Sequence, residues 1–166
     1  MPANSEQTKS LNVDREAIRK AFEKQQKSGD AKDRESLDRL LIDHALMVMQ
    51  FTYSPYSEFP VGSAVLSKSG EVFLGCNVEN ASYGCTICAE RTALVKAVSE
   101  GVKEFDTVAV VCERTKDAWP CGACRQFIAE FGASIRVVVE GSDGTVNVKS
   151  ISELLPHMFG PGALGK

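Results

Sequence analysis

Residues 86–131, TICAERTALVKAVSEGVKEFDTVAVVCERTKDAWPCGACRQFIAEF, carry the fold in miniature. From Thr86 to Glu100 the apolar positions Ile87, Leu94, Val95 and Val98 are compatible with one face of a helix, and Gly101 stops it. Phe105 to Cys112 is the most apolar run of the chain, strand-sized, and reads as a buried strand. Cys121 to Phe131 is helical again, and Ile135 to Glu140 just beyond it is a further strand. Strands separated by helices imply βαβ crossovers, with parallel pairing in the middle of a sheet.

Upstream, Phe59 to Lys68 and Glu71 to Val78 are strand-like runs joined at Ser69-Gly70, a hairpin signal. Downstream, Asp143-Gly144 turns the chain into Thr145 to Lys149, and a short helix near Ile151 to Leu155 precedes a Gly/Pro-rich tail. Ahead of the first hairpin, Leu37, Leu40, Leu41, His44, Ala45, Val48 and Met49 make one apolar helical face, with Ser36 as N-cap and Tyr53-Ser54-Pro55-Tyr56 as the breaker. The expected architecture is an α/β fold of three α/β/α layers around a mixed five-stranded sheet, over residues 36–166. The first 35 residues read as an N-terminal extension, weakly helical or disordered. Leu11, Ile18 and Phe22 there fall at i, i+7 and i+11, and Ser28-Gly29-Asp30 is the stop.

Of 166 residues, 43% are hydrophobic and 25% charged, with a net charge of −3 and an isoelectric point near 5.5. This composition excludes collagen, a disulfide-dense miniprotein and a chain disordered throughout. It gives no general electrostatic reason to bind nucleic acid or anionic lipid, and no apolar run is long enough to span a membrane. The polar, acid-bearing N-terminus fits neither a secretory signal nor a transit peptide, so the expected compartment is the cytosol. There, six cysteines point to thiols or metal ligands rather than disulfides.

The chemistry sits in Cys88-Ala89-Glu90 and Pro120-Cys121-Gly122-Ala123-Cys124, each placed at the start of a helix. Helix N-termini present free N–H groups and a partial positive charge, which favour thiolate over thiol. Cys88, Cys121 and Cys124 form a tripod suited to one Zn²⁺ and leave a tetrahedral position for water, the pattern of a catalytic site. Glu90, two residues past Cys88, stands close to the metal without ligating it and is the candidate proton carrier. Arg91, at i+3 from Cys88, offsets part of the thiolate charge from a neighbouring helical position. A second reading stays open: Cys85 precedes Cys88 by three, so the sequence also reads CxxC…CxxC, a closed four-cysteine site with no place for water. A helix and a strand between the pairs, the purposeless Glu90 it would leave, and a chain long enough to fold unaided count against it.

Beyond these residues, the runs Phe59-Pro60-Val61-Gly62, Asn77-Val78-Glu79-Asn80-Ala81-Ser82-Tyr83, Cys88-Ala89-Glu90-Arg91, Pro120-Cys121-Gly122-Ala123-Cys124-Arg125-Gln126, Glu153-Leu154-Leu155-Pro156 and Phe159-Gly160-Pro161 occur in the order of the small tetrameric cytidine deaminases. The resemblance covers about residues 36–162. It implies hydrolysis of the exocyclic amine of cytidine and deoxycytidine to uridine and deoxyuridine with release of ammonia, in pyrimidine salvage. Zinc, one per subunit, held by Cys88, Cys121 and Cys124, would supply the hydroxide that attacks C4, with Glu90 protonating N3 and then the leaving amine. The resemblance assigns Asn77 and Glu79 to the ribose hydroxyls, Phe59 to the base, Ala81 and Tyr83 to the pocket lining, and Phe159 to a neighbouring subunit's site in a homotetramer. A carboxylate accepts from a free hydroxyl but not from a phosphodiester oxygen, which favours a nucleoside over nucleic acid. A nucleoside-antibiotic substrate or a polynucleotide are the competing assignments for the same chemistry.

Overall fold

The computed structural model describes residues 13–165. Helix α1 (Arg15–Ser28) opens on Asp14, whose carboxylate accepts from the Ala17 amide at 2.8 Å, and closes on Gly29 in the left-handed conformation. Helix α2 (Ala31–Met49) follows at once, capped by Asp30 through the Lys32 amide. The helix therefore begins five residues before the expected Ser36, which lies inside it and returns its hydroxyl to the Lys32 carbonyl. The expectation of a frayed or weakly docked first helix is corrected. Ile18 is fully buried and Phe22 nearly so, in the same apolar cluster as Leu37, Leu41 and Ala45 of α2. Burying an isoleucine side chain stabilises by about 1.5–3 kcal/mol, which helps hold α1 against α2. The Lys24–Asp33 ion pair and the Ser28 hydroxyl on Asp33, both at 2.7 Å, close the corner between the helices. Leu11, the first residue of the expected apolar spacing, lies outside the described residues.

Five strands follow: β1 (Val61–Ser67), β2 (Val72–Cys76), β3 (Phe105–Cys112), β4 (Arg136–Glu140) and β5 (Val146–Ser150). Helix α3 (Ala89–Ser99) joins β2 to β3, α4 (Gly122–Ala129) joins β3 to β4, and α5 (Ile151–Leu154) follows β5. Both hairpins form where expected, β1–β2 about Ser69-Gly70 and β4–β5 about Asp143-Gly144. The sheet order is β2-β1-β3-β4-β5, and only β3 and β4 are parallel neighbours. The other crossover, β2–α3–β3, also joins co-directional strands. They do not touch, because β1 lies between them, antiparallel to both. β1 takes that interior place as a strand buried from Gly62 to Ser67, on both faces.

Side chains alternate cleanly between the two faces. Ala64, Leu66, Val72, Leu74, Ala109, Val111 and Val138 meet α1 and α2. Val65, Phe73, Val108, Val110, Val137 and Val139 meet α3, α4 and α5. This is the expected three-layer α/β/α arrangement. Gly75 on β2 sets the site: a Cβ there would lie 2.5 Å from the Ala89 carbonyl, so only a bare Cα lets the first turn of α3 rest on the strand.

Candidate active site

β2 and β3 end at the same edge of the sheet, since Cys76 and Val111 both pair with Gly62 of β1. The chain leaves each strand there and returns as a helix, so the N-termini of α3 and α4 open onto one place. Ligands of open α/β sheets gather at such carboxyl edges. Cys88 is the N-cap of α3 and Cys121 the N-cap of α4, while Cys124 lies one turn inside α4, fully buried. Their sulfur atoms all lie within 4.8 Å of one another, the one such grouping of metal-ligating side chains found among the described residues. Cys85, on an exposed 3-10 turn (Tyr83–Cys85), is not part of it. Cys76 and Cys112 lie in β2 and β3, and none of the six cysteines is in a disulfide.

The three thiols are not electrostatically equal. Cys88 is pushed down to about 5, first by the hydrogen bond from Cys124 and then by Arg91. The Arg91 guanidinium donates to the Thr86 carbonyl at 3.1 Å and reaches the Cys88 sulfur at 3.5 Å, as its spacing predicts. Cys124 keeps its proton for that hydrogen bond and its thiol is raised, with burial adding to the effect. Glu90 is 4% exposed; burial raises its carboxyl above the ordinary range, and the charge on Cys88 adds to it. Three soft sulfur donors, two at helix N-termini and one already a thiolate, fit Zn²⁺. The donor set stops at three, with a buried carboxyl beside it rather than a fourth ligand.

A cavity of about 400 Å³ opens over the thiols, within the range of small-molecule sites. Phe59, Asn77, Cys88, Glu90 and Cys121 line it, and Cys124 lies beneath. Asn77 carries a structural duty as well. Its carbonyl accepts from the Val61 amide at 2.8 Å and its amide donates to the Phe59 carbonyl at 2.9 Å, which fixes the wall bearing Phe59. Glu79 lies in an adjoining hollow of about 330 Å³ with Tyr56, Ser57 and Tyr83, and Thr86 lines both spaces. The Ser57 hydroxyl and the Tyr56 and Ser57 amides all donate to the Glu79 carboxylate and hold it below the usual carboxylate range. Ala81 is exposed and lines neither space. Phe159 is 61% exposed and away from both, on a tail held by Gln126 donating to the Phe159 carbonyl at 2.7 Å. Sequence reasoning missed Thr86 and the wall formed by Thr115, Asp117, Ala118 and Trp119. The one signal was the chain's sole tryptophan standing directly before Pro120-Cys121.

An α/β/α sandwich whose sheet edge gathers three thiols and a buried carboxyl in one cavity is the frame of a zinc-dependent hydrolase. Residues 35–140 match the family model described as the cytidine and deoxycytidylate deaminase zinc-binding region. The chain belongs to the cytidine and deoxycytidylate deaminase family. It is 47% identical over 125 residues to the cytidine deaminase of Halalkalibacterium halodurans, covering 74% of this chain and 95% of that protein. It is 50% identical over 120 residues to a probable cytidine deaminase of Dictyostelium discoideum, covering 71% of this chain and 80% of that protein. The crystal structure of cytidine deaminase from Burkholderia pseudomallei superposes with a TM-score of 0.69 at 47% identity, covering 73% of this chain and 98% of that one. Helix α1 lies ahead of the residues matched by the family model.

Proposed function

We propose that this chain hydrolyses cytidine and deoxycytidine to uridine and deoxyuridine, releasing ammonia. The observation that carries the reading is the buried carboxyl of Glu90 in the same cavity as a three-thiol zinc site, in a chain 45–50% identical to cytidine deaminases. Cys88, Cys121 and Cys124 hold the zinc, which when bound activates water for attack at C4 of the pyrimidine. Glu90 takes the proton that this attack releases, delivers it to ring N3, and then carries a proton to the exocyclic nitrogen so that ammonia leaves. Burial makes its carboxylate a stronger base than an exposed glutamate, which favours taking that proton before passing it on. Arg91 adds to the Cys124 hydrogen bond in favouring the Cys88 thiolate.

Phe59 packs against the base. Asn77 offers the second hydrogen of its amide to the ribose, and Glu79 offers its lone pairs to a ribose hydroxyl from the adjoining hollow. Ala81 and Tyr83 complete the loop beside that hollow. A carboxylate in that position repels a phosphate, so the substrate is a nucleoside and not a nucleic acid. The catalytic unit spans residues 36–166, and helix α1 ahead of it braces α2. Tyr83 and Phe159 are 74% and 61% exposed, which suits a homotetramer in which Phe159 enters a neighbour's site. No helix among the described residues is long and apolar enough to cross a membrane, and the cytosol is the proposed compartment.

The test follows the ultraviolet change on incubation with cytidine, deoxycytidine, CMP and a cytosine-containing oligonucleotide. Turnover of the two nucleosides, abolished by stripping zinc and restored by adding it, is the expected result. Faster turnover of CMP or of the oligonucleotide overturns the substrate assignment.

A further inference from the structure

One wall of the cavity is the loop 113–120, which leaves β3 and runs into Cys121 without regular structure. Two of its residues are tied to β5, an edge strand with no residue in the cavity. Asp117 accepts a hydrogen bond of 2.6 Å from the side-chain amide of Asn147. Lys149 sets its ammonium 5.9 Å from the centroid of the Trp119 ring. Asn147 and Lys149 are alternate residues on one face of β5, and Asp117 and Trp119 are alternate residues on the loop, so the two ties run side by side. Asp117 is further fixed by its own N–H, which donates to the Glu140 carbonyl at 2.8 Å, and by its carbonyl, which accepts from the Trp119 amide at 2.7 Å. Its φ is 54°, one of three positive values at non-glycine residues among the described residues. Such a conformation costs about 1–3 kcal/mol and persists only where the surroundings impose it. Gly141 clears the path of the tie, since a Cβ there would lie 2.8 Å from the Asn147 amide nitrogen.

We infer that Asn147 and Asp117 are positioning residues for substrate: through them the edge strand β5 fixes the wall that carries Ala118 and Trp119. This rests on the proposed cytidine reading. Because the wall bounds the substrate and supplies neither a thiol nor the Glu90 carboxyl, releasing it weakens binding more than it slows the chemical step. A hydrogen bond to a charged group converts to about 10- to 140-fold in full, but this one acts through the wall and not on the substrate, so only part of it reaches the binding step, a rise in KM of about three- to tenfold.

Asn147→Ala is expected to raise KM for cytidine by that factor, with kcat within about twofold and zinc content unchanged. Trp119, the only tryptophan, reports the wall directly. In the variant its emission shifts to longer wavelength and acrylamide quenches it more readily. Gly141→Ala, which leaves Asn147 in place but crowds its amide, is expected to reproduce both changes. An unchanged KM in Asn147→Ala, a fall in kcat with KM preserved, or an unaltered Trp119 signal overturns the inference. If the unaltered protein does not turn over cytidine, the substrate reading fails by itself, and the Trp119 measurements still decide whether β5 holds the wall.

Discussion

Arg91 is the residue through which the metal site is most directly tested. Replacing it with alanine removes the guanidinium 3.5 Å from the Cys88 sulfur and the hydrogen bond to the Thr86 carbonyl, and leaves all three thiols in place. A hydrogen bond to a charged group is worth about 1.5–3 kcal/mol net. At 1.4 kcal/mol per decade the upper bound is a loss of about 140-fold in zinc affinity. The 3.5 Å separation is long, which favours the lower half of that range, roughly 10- to 40-fold. Outer-shell partners of metal ligands typically contribute about 10- to 100-fold, so two independent routes agree.

The pH dependence has a definite sign. The Cys88 thiol is lowered from 9.0 to about 5, so at neutral pH the native protein presents it already ionised. Without Arg91 its pKa climbs part of the way back, because the hydrogen bond from Cys124, the larger cause, survives. Protons then compete with zinc at higher pH, and the affinity gap between variant and native protein widens as pH falls from about 8 to 6. Chelator competition measures the affinity, and the pH dependence of thiol alkylation in metal-stripped protein measures the pKa. A zinc affinity within about twofold of native, with an unmoved alkylation profile, would show that Arg91 does not support the Cys88 thiolate.

Glu90→Gln keeps the volume and removes the proton carrier; kcat should fall by about 10²–10⁴ with one zinc per chain retained, checked by steady-state kinetics and metal analysis. Cys85→Ser should retain zinc, while Cys88→Ser releases it; equal loss in both returns the closed four-cysteine reading. Ile18→Ala should destabilise by about 2–5 kcal/mol in denaturant unfolding while KM is unchanged, because the cavity opens between α1 and α2, away from the thiols.

The strands and hairpins were legible because period-two alternation and turn residues are local signals. The zinc tripod was legible because its spacing puts sulfurs at two helix starts. Helix α1 was underestimated because only Ile18 and Phe22 mark its buried face in a polar stretch, and a sequence does not reveal how deep a groove receives two side chains. The start of α2 was misplaced because Asp30 reads equally well as the end of one helix or the cap of the next, and it serves the second. Nothing local says that β1 slips between β2 and β3, since sheet order is decided by which strand can be buried on both faces. The Thr115–Trp119 wall escaped because loops have no periodicity, and its anchor, Asn147, is thirty residues from Asp117 in the chain.

The shared pairing of Cys76 and Val111 with Gly62 has a consequence for assembly of the chain itself. A two-residue slip of either strand against β1 would preserve the inward and outward faces but carry its helix start about 6.6 Å along the sheet. The sulfurs would then stand too far apart to grip a single ion. Zinc bound by the three thiols would therefore favour the alignment in which β2 and β3 both stand in their proper frame against β1.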